Sequence, residues 1–67
     1  MDEVELRKRL KRLIEEYVDD KELATNLIDS LDNPKAKYVL AEIELNKHKE
    51  YSSKDREIIE EIAFYYC

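Results

Sequence analysis

Sixty-seven residues carrying a net charge of −5, with 43% of side chains charged, leave room for one small hydrophobic core and a single domain over residues 1–67. Glycine is absent, which argues against phosphate-cradling loops, dinucleotide-binding turns and the favoured β-hairpin turns, since each needs backbone geometry that glycine supplies at least cost. The longest apolar runs, "AFYYC" and "YVLA", fall far short of the roughly 20 residues that span a bilayer, and Met1, Asp2, Glu3 has the wrong sign for a secretory signal.

The expectation is a cytoplasmic protein with no membrane partner, in which the lone Cys67 stays reduced and forms no internal disulfide. Abundant Lys and Glu is a composition that thermophile proteins favour. Leu, Ile, Glu and Lys together suit helices. Apolar periodicity predicts helices near residues 3–18, 20–31, 34–48 and 53–66, an all-α fold: a compact bundle of three to four short helices with no sheet.

In the first helix Leu6, Leu10, Leu13, Ile14 and Tyr17 recur at steps of three and four and make one apolar face. Arg7, Lys8, Arg9, Lys11 and Arg12 occupy the arc left over. Acids stand within helical reach of most of them: Glu3 and Arg7, Glu5 and Arg9, Lys11 and Glu15, and Arg12 and Glu16 are each four apart. Five acids offset five bases over residues 1–18, so the remaining 49 residues carry the whole −5. Binding a phosphate backbone takes uncompensated positive charge, because counterion release drives it. The cluster is therefore expected to be a self-paired, solvated face.

Asp19 is expected to cap the second helix, with Glu22 three residues later, and Leu23, Ala24, Leu27, Ile28 and Leu31 form its stripe. "DNP" ends that helix and begins the third, with Asn33 as N-cap and Pro34 in the first turn. The third helix carries two apolar faces: Ala36, Val39, Leu40 and Ile43 on one side, Tyr38, Ala41 and Leu45 nearly opposite. Such a helix either sits centrally between two neighbours or offers one face to another molecule. Ser52 caps the fourth helix, with Asp55 at its third position. Ile58, Ile59, Ile62, Ala63, Tyr65 and Tyr66 follow its core side, while Phe64 falls among charged residues. Leu10, Leu13, Leu27, Ile28, Val39, Leu40, Ile43, Ile59 and Ile62 are the expected core.

Chemistry is thinly provided. His48 is the lone histidine, and Glu44 one turn before it does not complete the three protein ligands a zinc site needs. A Cys67–His48 dyad would put the nucleophile on a fraying last residue. Glu15 and Glu16, like Glu60 and Glu61, are neighbours whose side chains diverge by about 100° on a helix, so they make no acid–base pair. No catalysis, cofactor or metal is expected.

The favoured reading is a small acidic protein-interaction module, an adaptor, inhibitor or regulatory protein that also self-associates as a homodimer. Its contact surface comprises Tyr38, Ala41, Leu45, Phe64 and Tyr65, of types enriched at interfaces. The alternative is a helix-turn-helix DNA-binding transcriptional regulator acting as a dimer, with Lys35, Lys37, Lys47 and Lys49 on or beside the recognition helix. The acidic total, with Glu42 and Glu44 on that helix, weighs against nucleic acid as a partner.

Overall fold

A computed structural model describes residues 2–33 and 35–66. Within them run four α-helices: α1 (Glu3–Tyr17), α2 (Lys21–Asp29), α3 (Ala36–Asn46) and α4 (Ser53–Tyr66), with a 3-10 turn, Ser30–Asp32, prolonging α2. The fold is all-α. Among the described residues there is no strand, only an isolated antiparallel bridge between Val18 and Lys47.

Side-chain acceptors start three of the helices by satisfying orphan N–H groups. Asp2 Oδ1 accepts from the Glu5 amide at 2.8 Å and Ser52 Oγ from the Asp55 amide at 3.1 Å. The cap of α2 is Asp20 rather than Asp19, accepting from Glu22 and Leu23 at 3.0 and 3.2 Å. The bridge to Lys47 holds Val18 extended, which delays the helix by one residue.

The third helix is shorter than its periodicity suggests. The Asn33 amide donates to the Ser30 carbonyl at 3.3 Å, so Asn33 closes the turn behind it instead of capping the helix ahead. Lys35 takes the cap position without a side-chain bond, and the expected role of Pro34 lies outside the described residues. At the other end the His48 amide donates to the Tyr17 carbonyl at 3.0 Å, drawing the backbone out of α3 after Asn46.

These ties also fix the direction of travel. Arg7 Nε donates to the Leu31 carbonyl at 3.0 Å, returning the chain to the first half of α1 after α2. The Val18–Lys47 bridge brings the end of α3 to the end of α1. Arg12 then pairs with Asp55 and Arg9 with Glu61, so α4 runs antiparallel to α1.

Leu10, Leu13, Leu27, Val39, Ile43 and Ile62 are buried as expected, together with Leu6, Ile14, Tyr17, Val18, Leu31 and Ala36. Ile28, Leu40 and Ile59 are half-buried against that cluster. The Cα radius of gyration, 10.8 Å, equals what a compact chain of this length gives, about 10.9 Å. Helix α1 packs against α2, α3 and α4, so α1 and not α3 is the central element.

Candidate interaction surface

Helix α3 buries one of its two apolar faces. Ala36, Val39 and Ile43 are buried and Leu40 half-buried, facing α1 and α4. Tyr38, Ala41 and Leu45 project from the other side, with Tyr38 54% and Leu45 78% exposed. These three are spaced by three and four residues and so form one stripe along about two turns. At its N-terminal end, beside Tyr38, an open cleft of about 330 Å³ is lined by Ser30, Asn33, Lys35 and Tyr38. A stripe flanked by Lys37, Glu42 and Glu44 offers apolar area with a charged margin, the anatomy of a contact surface.

The second exposed apolar group ends α4. Phe64 is 81% and Tyr65 58% exposed, and their rings meet edge to face with centroids 5.2 Å apart. Tyr65 and Tyr66 were expected on the core side, but both are exposed. With α4 antiparallel to α1, its last turn lies level with the start of α1, where Asp2, Glu3, Val4 and Glu5 are all exposed. Glu61, one turn before Tyr65, bonds to Arg9 at 3.1 Å, so Tyr65 sits on the α1 side of α4. The structure thus brings Phe64 and Tyr65 together at the end of α4.

The lysines behave unequally. Lys35 and Lys37 are exposed. Lys47 pairs with Glu44 at 3.2 Å and Glu50 at 3.6 Å and lies 4.4 Å above the Tyr51 ring. Lys49 pairs with Glu16 at 3.6 Å and lies 5.3 Å from the centre of the Tyr17 ring. Lys47 therefore ties the end of α3 to the connection that follows it, and Lys49 braces that connection against α1. Lys47, then the Tyr51 hydroxyl, hold the Glu44 carboxyl below its ordinary range, while burial and the Glu44 carboxylate push the Tyr51 phenol well up. Glu44 is engaged by these neighbours, and His48 Nε2 lies 3.1 Å from the Glu16 carbonyl, so the two do not form a shared ligand set. Among the described residues no three His, Cys, Asp or Glu side chains gather as metal ligands; Cys67, and with it the Cys67–His48 pairing, lies outside them.

The basic run of α1 pairs only partly as its spacing predicts. Glu3–Arg7 and Glu5–Arg9 close to 3.5 and 2.8 Å. Arg12 turns from Glu16 to Asp55, at 2.5 Å. Asp55 is the polar residue that sequence reasoning missed as anything beyond a cap partner. It is 6% exposed and also accepts the Tyr17 hydroxyl at 2.5 Å, and that hydroxyl accepts the Ser52 amide at 3.1 Å. The Arg12 guanidinium first, then the Tyr17 hydroxyl, keep its carboxyl below the usual range against the opposing effect of burial. The signal available in sequence was an acid on the apolar side of the last helix, three before Ile58 and seven before Ile62.

No protein-family model, curated protein or solved structure matches this chain. Among the described residues no helix is long and apolar enough to cross a membrane.

Proposed function

We propose that this small acidic helical bundle is a protein-interaction module, binding rather than catalysing, whose principal contact surface is the outer stripe of α3. The observation that carries the reading is the exposure of Tyr38, Ala41 and Leu45 on a helix whose opposite face is already buried. Contiguous exposed apolar area on a small chain marks contact sites. The Phe64–Tyr65 pair supplies a further exposed aromatic patch. Much of the remaining surface carries charged side chains that resist desolvation.

A photo-crosslinking benzoylphenylalanine at position 38 tests this in the living host, with the same group at exposed Lys11 as control. A discrete product from position 38 that disappears on Leu45→Glu, with none from position 11, supports the reading. No product, or equal products from both positions, refutes it. In parallel, Tyr38→Ser and Leu45→Ser should leave stability within about 0.5 kcal/mol of wild type, as exposed positions do. Unfolding by either would show those side chains to be part of the core.

A further inference from the structure

We infer that the occupant of the α3 stripe is a second copy of this chain, lying antiparallel across a two-fold axis beside Ala41; this rests on the stripe being a contact surface and adds its partner and register. The stripe is self-complementary. Tyr38 precedes Ala41 by three residues and Leu45 follows it by four. In an antiparallel pair whose axis passes between Ala41 and Glu42, Tyr38 of each copy lies against Leu45 of the other. An isologous two-fold contact requires such a palindromic arrangement of large, small and large side chains. The small Ala41 at the waist lets the helix axes approach to about 8 Å, the close end of the usual range. The cleft beside Tyr38 gives room where the Leu45 end of the second copy arrives.

The flanking charges agree with that register. Lys37 and Glu44 are seven residues apart and so share one flank of α3. A two-fold axis normal to the plane of the two helices turns each flank toward its own copy, which brings Lys37 within two positions, ~3 Å along the axis, of Glu44 of the second copy, twice per dimer. Glu44 already holds Lys47 and the Tyr51 hydroxyl, so Lys37 of the second copy shares an exposed carboxylate with them. On the other flank Glu42 falls beside the axis and meets its counterpart, a like-charge contact that limits affinity. Size limits it too. The exposed part of Tyr38 is about 110 Å², taking about 200 Å² for the aromatic side chain. With Leu45 and the margin, one helix stripe stays below the ~800 Å² per partner of a stable interface. The dimer is therefore weak and reversible, forming between micromolar and millimolar protein.

Sedimentation equilibrium of the purified full chain over that range tests the proposal, together with mapping of the position-38 crosslink by mass spectrometry. The expected result is a mass rising from monomer toward dimer, with the crosslink landing at Leu45 of a second chain. Leu45→Glu should weaken association by a hundredfold or so, because every dimer loses two Leu45 contacts. Glu42→Gln should tighten it severalfold. Lys37→Glu should weaken it, and adding Glu44→Lys should restore it, a rescue that only the antiparallel register predicts. A monomer at millimolar protein, or a dimer indifferent to Leu45→Glu, overturns the second copy as occupant. The two readings then separate in the cell: a position-38 product containing a different protein leaves the interaction surface standing, whereas no product removes both.

Discussion

Replacing Asp55 with alanine withdraws the acceptor that both Tyr17 and Arg12 use, and the structure lets the cost be apportioned. The Tyr17 hydroxyl is buried with its ring and bonds to Asp55 at 2.5 Å, so the variant leaves a buried donor without a partner, at about 1–3 kcal/mol. Arg12 is half-exposed and can turn to water, so its lost ion pair adds only about 0–1 kcal/mol. The helix cap survives, because Ser52 accepts from the backbone amide of residue 55 and not from its side chain. A total of about 1–4 kcal/mol, centred on ~2.5, is roughly half of what a core this small supplies. At about 4–8 °C per kcal/mol for a chain of this size, the melting midpoint should fall by about 10–20 °C. Urea and thermal melts followed by far-ultraviolet circular dichroism measure this directly. Tyr17→Phe should also destabilise, and the double variant should cost less than the two singles together, since both act on one bond. Additive costs, or an Asp55→Ala variant within about 0.5 kcal/mol of wild type, would refute the account.

The same residue makes a pH prediction of fixed sign. Arg12, then Tyr17, hold the Asp55 carboxyl below the value of about 3.9 that it has when unfolded. The unfolded chain therefore takes up the proton first on acidification. The carboxylate's contribution is complete above about pH 4 and is lost as pH falls through the lower, folded value. Wild-type stability should drop more steeply below about pH 4 than that of Asp55→Asn, whose amide does not titrate. Parallel profiles would show that Asp55 is not the group responsible.

Ile43 is fully buried on the inner face of α3, so Ile43→Ala should cost about 2–5 kcal/mol and leave much of the protein unfolded at room temperature, read from the same melts. A wild-type midpoint would exclude Ile43 from the core. In a mobility-shift assay at physiological salt, micromolar protein should not retard duplex DNA, because Lys47 and Lys49 are drawn onto carboxylates and tyrosine rings and the chain is acidic overall. Sequence-selective binding weakened by Lys35→Glu or Lys37→Glu would restore the helix-turn-helix alternative.

Much of the fold was legible because helix periodicity and side-chain caps are local signals. The stripe of α1 and the Ser52 cap of α4 appear where spacing puts them. The errors arise where a distant segment intervenes. Nothing near Asp19 announces that Val18 will bridge to Lys47, and nothing near Asn33 announces that its amide turns back to Ser30. Arg12 could be paired on paper with Glu16, one turn away on the same helix. Its choice of Asp55 depends on α4 returning antiparallel, 43 residues later in the chain. Tyr65 and Tyr66 fit a core stripe by angle alone, and periodicity does not register that they reach the level of the exposed first turn of α1.

Asp55 and the α3 stripe both depart from the simple rule of apolar side in and polar side out, and they differ in how the chain answers them. Asp55 is an acid at a buried position, and Arg12 and Tyr17 satisfy its carboxylate from within the chain. Among the described residues no buried side-chain nitrogen or oxygen lacks a partner, so this departure is internally compensated. The stripe on α3 is the converse, apolar side chains held outside, and among the described residues none covers Leu45, which is 78% exposed. The sequence is rich in Lys and Glu, either of which would suit an exposed helix position at least as well as leucine. A local rule broken without internal compensation marks the positions where function is to be sought. Under the proposed function Tyr38 and Leu45 serve association and Asp55 serves stability, and substitutions at the two sites should separate cleanly: association lost without unfolding at one, stability lost with the α3 stripe intact at the other.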